Sequence, residues 1–328
     1  MKRISIVIAL YRSAKTITPV LDELRSVLGT MTDYDYEVVL VNDCSPDNVL
    51  EIVEALACHD ARVKILDIAK NSGQPNAMMA AFRHVTGNFI VCMDDDFQHD
   101  PGVIPGMIAK LENDDQDVVF VRYKKQEESV FRRFGSWLNG YMAEIMAGKP
   151  KNIRSNSFFA MRRFVSDAIA VYPHSNPYLF GIIFATTSHI ANVDAVHRAR
   201  ARDRSNYTLK SLIGFWFNGF LNFSIKPLRI SSVCGLCVSV GALIWAIIMF
   251  IERLLHPNVG VAGWTSLIIA IIFFSGIQLI GIGVLGEYLG RLYRSQSHLP
   301  TYSIRRKINL EEDTELNDHN KENVHSGQ

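Results

Sequence analysis

The sequence predicts an α/β domain built on a parallel sheet, followed by a C-terminal part suited to a membrane. Three observations predict it. Short apolar runs alternate with amphipathic stretches over residues 1–125, the pattern of βα units whose helices cover both faces of a sheet. One of these runs, Phe89-Ile-Val-Cys-Met93, ends directly in Asp94-Asp95-Asp96. Beyond residue 229, two long runs carry almost no charge.

Residues 4–10 open the sheet. They follow Met-Lys-Arg, yet the run is too short for the apolar core of a secretory leader and lacks a small-residue cleavage site, so a strand is expected. Further strands are expected at residues 37–41, 63–68, 89–93 and 118–121, each a short run rich in β-formers. Residues 16–28, 49–58, 74–85 and 102–111 carry apolar positions at helical spacing and are expected to be the intervening helices.

Residues 126–205 are less regular and concentrate arginine: Arg132, Arg133, Arg154, Arg162, Arg163, Arg198, Arg200, Arg202 and Arg204. Such a group is either a solvated surface facing water or anionic headgroups, or a set of phosphate grips. Residues 206–229 hold large apolar side chains with flanking lysine and arginine, but Asn218, Asn222 and two glycines suit an interfacial helix better than a spanning one. Residues 230–251 are free of charge and long enough to cross a hydrocarbon layer of about 30 Å. A second span is expected at 261–285, within a two-helix hairpin covering 230–290. Lys226 and Arg229 precede the hairpin, and Arg291, Arg294, Arg305, Arg306 and Lys307 follow it, which places both flanks in the cytoplasm. Residues 291–328 form a cytoplasmic tail whose acidic, polar end, 311–328, is expected to be disordered.

The 328 residues carry 34 basic and 33 acidic side chains, a net charge of +1, which gives no pull toward nucleic acid. Five cysteines, at 44, 58, 92, 234 and 237, form no disulfide framework. Cys234-Gly-Leu-Cys237 lies inside an apolar run without a second pair, and is read as packing.

The carboxylate cluster is the most informative feature. A strand end at the carboxyl edge of an α/β sheet is where such folds bind ligands. Clustered negative charge there calls for a cation, and all-oxygen donors suit Mg²⁺ or Mn²⁺. Asp94, Asp96 and Gln98 share a side while the chain is extended, since alternate residues of a strand point the same way. No Gly-x-Gly-x-x-Gly follows the first strand, which disfavours a dinucleotide-dependent oxidoreductase.

Several segments together resemble family 2 glycosyltransferases of the polyprenyl-phosphate sugar synthase group, over roughly residues 3–308. Ser5-Ile-Val-Ile-Ala-Leu-Tyr11 resembles the group's first strand, with Arg12-Ser13 where the pattern has Asn-Glu. Val39-Leu-Val-Asn-Asp-Cys-Ser-Pro-Asp47 resembles the strand that ends in Asp-Asp-Gly-Ser, with Asn42 in the first aspartate's place. Lys70-Asn-Ser-Gly-Gln74 resembles the Asn-x-Gly loop, and Asp94-Asp-Asp-Phe-Gln98 the Asp-Ala-Asp-Leu-Gln segment, with Asp95 in the alanine place. Residues 197–207 resemble an Arg-x-x-Gly-x-Ser-x-Tyr element in Arg200, Ser205 and Tyr207. Ser157-Phe-Phe-Ala160 departs from the usual Asp-Phe-Arg-Leu, and Gly286-Glu-Tyr-Leu-Gly-Arg-Leu-Tyr293 resembles the exit from the second span.

The resemblance implies a GT-A-like, Rossmann-related nucleotide-binding domain over residues 1–205. It implies transfer of one sugar from a nucleoside-diphosphate sugar to polyprenyl, here undecaprenyl, phosphate, with inversion at the anomeric carbon. It implies a bacterial inner membrane location with the catalytic domain in the cytoplasm. On the matching positions, Asp96 and Arg200 would be catalytic. Asp94, Asp96 and Gln98 would approach the metal. Tyr11, Asp43, Gly73, Asp94, Arg122, Arg133, Ser205 and Tyr207 would bind substrate, with Asp43 on the base. Two other readings stand beside it, an inactive nucleotide-binding membrane adaptor and an enzyme extending a lipid-linked glycan. A homo-oligomer is left open, as are the donor sugar and the base.

Overall fold

The computed structural model describes residues 1–123, 150, 152–172, 178–195, 263–296 and 300–310, with scattered positions between 233 and 255. The chain runs β1 (Lys2–Leu10), α1 (Ile17–Gly29), β2 (Tyr34–Asn42), α2 (Val49–His59), β3 (Val63–Ile68), α3 (Gln74–Phe82) and β4 (Phe89–Cys92). A 3₁₀ turn at Pro101–Val103 enters α4 (Ile104–Asn113), and β5 (Val118–Tyr123) follows. The expected strands and helices of this part are all present, with their ends moved by a few residues. α3 begins with Pro75 in its first turn, where a missing N–H costs nothing.

Beyond β5 the described elements are β6 (Phe159–Arg162), α5 (Arg163–Ala170), α6 (Leu179–Thr186), β7 (Ile190–Ala195), α7 (Trp264–Gln296) and β8 (Ile304–Ile308). One sheet takes the described strands in the order β7-β5-β6-β4-β1-β2-β3-β8. β1 lies parallel to both β2 and β4, and β2 to β3. The expected parallel sheet is present at the centre, and β5 and β7 form a further parallel pair at one end. β6 returns antiparallel between β4 and β5, and β8 adds antiparallel to β3. β8 lacks the apolar run that marks the central strands.

β1 is buried from Ile4 to Ile8 and carries the centre of the core. Ile4, Ile6, Ile8 and Leu10 point to one face, where they join Leu21 and Leu24 of α1, Val53 of α2 and Met107 and Ile108 of α4 in one apolar cluster. Each such side chain contributes about 1.5–3 kcal/mol on burial. α3 and α5 pack together and reach the strands themselves. At the N-terminal end of the sheet, buried Glu37 accepts from Ser5 Oγ (2.5 Å), Lys64 Nζ (2.6 Å) and the Thr86 N–H (2.6 Å). A buried carboxylate is tolerable only with such full pairing.

The chain forms two compact units, Met1–Tyr207 with Pro300–Gln328, and Thr208–Leu299. In the second unit α7 runs for 33 residues and exposes Leu267, Ile271, Phe273, Leu279, Leu285 and Leu289. Among the described residues no helix is long and apolar enough to cross a membrane. Some side chains of α7, and most residues of the first expected span, lie outside the described set. The region 206–229 lies outside it as well, as does the acidic end at 311–328.

Residues 300–310 do not trail away from the domain. β8 pairs Leu66 with Lys307 and Asp67 with Arg306, and Arg306 forms an ion pair with Glu54. Asn309 donates to the carbonyls of Ala57 and Val63, both at 2.9 Å.

Candidate active site

The strand order reverses at β1, because the chain moves outward through β2 and β3 and then returns to β4 on the other side. In open α/β sheets the crevice at such a switch point, beyond the carboxyl ends of the strands, is the ligand site. Four loops reach it, after β1, β2, β3 and β4, and they carry most of the described residues singled out by the sequence. Three of them hold a non-glycine residue at positive φ: Arg12 at 60°, Cys44 at 49° and Phe97 at 64°. Backbone conformations of this kind cluster where a site demands them.

The loops after β1 and β2 are tied together. The Arg12 N–H donates to Ser45 Oγ at 2.7 Å, and the Ala14 N–H to Asp47 Oδ2 at 2.9 Å. Burial pushes the Asp47 carboxyl up, but hydrogen bonds from Ser45 and the main chain outweigh it and hold it below the usual range. Tyr11 is 47% exposed, with the Arg12 guanidinium over its ring. Its phenol is open to a ligand.

Asp43 follows β2 and is buried at 3% exposure. Its two carboxylate oxygens accept the N–H groups of Ser72 (2.7 Å) and Gly73 (2.9 Å). The residue read as the base contact therefore also holds the Asn-Ser-Gly loop against the sheet. Gly73 takes φ 82° and ψ 151° there, a conformation nearly closed to other residues.

The loop after β4 presents Asp94, Asp95, Asp96, Phe97 and Gln98, all partly exposed. Asp94 is held from two sides. Gln74 Nε2 donates to its Oδ1 at 2.7 Å, and Ser157 Oγ to its Oδ2 at 2.6 Å. Its own N–H donates to His99 Nδ1 at 2.9 Å, so that nitrogen is an acceptor and any proton on the neutral ring is on Nε2. The His99 ring stacks on Phe158 at 4.8 Å. Asp96 Oδ1 accepts the Gln98 N–H at 3.2 Å. Burial raises the Tyr123 pKa, and the nearby charges of Asp94, Asp96 and Asp100 raise it further.

Arg122, at the end of β5, pairs bidentately with Asp194 of β7, at 2.5 and 3.0 Å, and both are well exposed. Arg162 spends its guanidinium on the carbonyls of Gln116 and Leu111. Arg133, Arg200, Ser205 and Tyr207 lie outside the described residues. The structure therefore brings Tyr11, Asp43, Gly73, Asp94, Asp96 and Gln98 to one sheet edge. Gln74, His99 and Ser157 emerge as supports of Asp94, a role that the sequence reading did not give them. No local pattern marks Gln74 or Ser157 as partners of Asp94, since Gln74 lies 20 residues from it and Ser157 lies 63.

The donor chemistry fits a hard divalent cation. Among the described residues, no three His, Cys, Asp or Glu side chains gather closely enough to hold a metal ion by themselves. Mg²⁺-type sites use one or two carboxylates and take the remaining oxygens from substrate phosphates and water.

The profile of the family described as "Glycosyl transferase family 2" matches residues 5–169. Likeness to individual proteins extends over nearly the whole chain. An uncharacterized glycosyltransferase, YkcC, of Bacillus subtilis (strain 168) is 31% identical over 308 residues, 94% of each chain. Undecaprenyl-phosphate 4-deoxy-4-formamido-L-arabinose transferase of Shewanella sediminis is 31% identical over 92% of this chain and 91% of that protein. The bactoprenol glucosyl transferase of Shigella phage SfV is 31% identical over 92% of this chain and 98% of that protein. Among solved structures, a glucosyl-3-phosphoglycerate synthase of Mycobacterium tuberculosis superposes with a TM-score of 0.49 at 17% identity, covering 64% of this chain and 75% of that one.

Proposed function

Because the chain belongs to glycosyl transferase family 2, we propose that it moves one sugar from a nucleoside-diphosphate sugar to polyprenyl phosphate, as the names of its relatives describe for them. The observation that carries this reading is the acidic loop Asp94–Asp96 at the switch-point edge, in a chain that matches lipid-phosphate sugar transferases over more than nine-tenths of its length.

The phosphate oxygen of the acceptor attacks the anomeric carbon. The bond from that carbon to the diphosphate breaks, and the nucleoside diphosphate leaves with the electron pair. A phosphate monoester has a second pKa of about 6, so the acceptor is largely dianionic at neutral pH and asks little of a general base. The harder task is charge on the leaving diphosphate. Mg²⁺ or Mn²⁺, held by Asp96 and Asp94 with Gln98 near, would neutralise that charge. Gln74 and Ser157 hold the Asp94 carboxylate in place before substrate arrives, so no reorganisation is needed during the reaction. Tyr11 and the loop of Asp43 and Gly73 form the nucleotide side of the crevice. Arg200 is assigned to the diphosphate, and Arg122, Arg133, Ser205 and Tyr207 to the substrate phosphates, on the family pattern.

The acceptor is a lipid, so the site must meet a bilayer surface. The charge-free runs at 230–251 and 261–285 support a two-helix anchor, with residues 206–229 at the interface. The positive flanks support a cytoplasmic catalytic domain at a bacterial inner membrane.

The test uses full-length protein, undecaprenyl phosphate, Mn²⁺ or Mg²⁺ and a panel of nucleotide sugars, read by mass spectrometry. One metal-dependent lipid-phosphate-sugar is expected, lost in a folded Asp96→Asn variant. An active Asp96→Asn enzyme would remove Asp96 from the metal, and no product from any donor would overturn the reaction.

A further inference from the structure

Two loops from adjacent strands meet across the switch point. Ser13, after β1, donates its hydroxyl to Oδ2 of Asp95, after β4. The same hydroxyl oxygen accepts the Tyr11 N–H at 3.0 Å. The Ser13 carbonyl accepts the N–H groups of Thr16 and Ile17, both at 3.0 Å, so its main chain is fixed as the entry to α1. Ser13 is only 2% exposed. A hydroxyl has a single proton to give, and this one goes to a carboxylate.

Each of the three acids of the loop thus has a partner. Asp94 is held by Gln74 and Ser157, Asp96 accepts from the Gln98 main chain, and Asp95 is held from the β1 side. Positions 13 and 95 are also two of the places where this sequence departs from the family pattern, serine for glutamate and aspartate for alanine. The departures touch one another. A glutamate at 13 would bring a second carboxylate against Asp95, which like charges oppose.

We propose that Ser13 is a positioning residue for Asp95 and that the pair acts as one acidic unit of the metal loop. The carboxylate stands on the β4 loop because the β1 loop offers a short hydroxyl. A glutamate at 13 with alanine at 95 is the reciprocal arrangement. The inference rests on the proposed metal-dependent reaction for its role, but not for the coupling itself.

The experiment compares wild-type full-length protein with Ser13→Ala, Ser13→Thr, Ser13→Glu, Asp95→Ala and the double variant Ser13→Glu/Asp95→Ala. Thermal midpoints are read alongside Mn²⁺ binding, followed as loss of the free-ion paramagnetic resonance signal. Ser13→Ala is expected to weaken Mn²⁺ binding about ten-fold, the scale of a hydrogen bond to a charged group, and Ser13→Thr to restore it. Ser13→Glu is expected to lower both readouts, and the double variant to recover most of that loss. Losses that simply multiply in the double variant would show two independent sites and overturn the pair. A Ser13→Ala protein with a lowered midpoint and unchanged Mn²⁺ binding would show a packing role and overturn the positioning. If no lipid-linked product forms with wild type, the proposed reaction fails, while the coupling between 13 and 95 is still read from the midpoints.

Discussion

Asn42 donates its side-chain amide to Oδ1 of Asp67 at 2.8 Å, and both residues are buried, at 3% and 4% exposure. Asn42 Oδ1 in turn accepts the Ser45 N–H at 3.2 Å. The asparagine that replaces the first aspartate of the family pattern is therefore the neutral partner of a buried carboxylate on β3. Asn42→Asp, which restores the pattern, is expected to destabilise the protein by about 3–5 kcal/mol at neutral pH, because it sets an uncompensated charge beside Asp67. Denaturant unfolding at pH 7 measures it. The penalty should shrink in acid, where the two carboxyls share a proton. An unchanged midpoint at pH 7 would show that Asp67 is not confined to this contact.

Ser157→Ala removes the donor to Asp94 Oδ2 and leaves Gln74 on Oδ1. A hydrogen bond to a charged group is worth about 1.5–3 kcal/mol, so kcat is expected to fall at least about ten-fold. The thermal midpoint should move little, since the side chain is only partly buried. Equal loss in stability and rate would assign Ser157 to packing instead.

Gly73→Ala meets no crowding, since the nearest atom to an added Cβ is Pro75 Cδ at 3.9 Å. Its cost is conformational. Holding a Cβ-bearing residue at φ 82° should cost about 1–3 kcal/mol, or the loop should relax and release Asp43. A lower thermal midpoint together with weaker nucleotide binding is expected, each followed by titration calorimetry or unfolding.

Glu37 makes stability depend on acid. Burial pushes its carboxyl up, but Lys64, Ser5 and the Thr86 N–H outweigh that and leave it below the usual glutamate range. A carboxyl lowered in the folded state stabilises fully above its unfolded pKa of about 4.3, and this contribution is lost as pH falls toward the folded value. Glu37→Gln is expected to cost about 3–5 kcal/mol at pH 7, since Lys64 loses its partner, and to flatten the fall of stability below pH about 4.5. An acid unfolding curve with the wild-type slope in Glu37→Gln would contradict this.

The central βα units were legible because their signal is local. The apolar face of α1 and the short runs of β1 to β5 follow from residues close in sequence. β6 and β8 were not, because their partners make them strands. Ile304-Arg-Arg-Lys-Ile308 carries three charges in five residues and, among the described strands, pairs with β3 alone. The site divides in the same way. Asp43, Asp94 and Asp96 stand at strand ends that the patterning locates. What positions them does not show in a local reading, since Ser13 lies 82 residues from Asp95 and Asp43 about 30 from Gly73. Such contacts exist only once the strand order places loops side by side. Departures from the family pattern at 13, 42 and 95 looked unrelated in the sequence, and the folded chain gives each a specific neighbour.

The pairing of β8 with β3 sets a parity. Residues 208–299 leave from the same compact unit to which residues 300–310 return, and the return is secured in register at Ile65, Leu66 and Asp67. Any excursion of that segment through a bilayer must then come back out on the side from which it went in, so the number of crossings is even. A one-span or three-span arrangement would strand Lys307 and Leu66 in different compartments. Five residues of edge strand thereby constrain the topology of the roughly ninety that precede them.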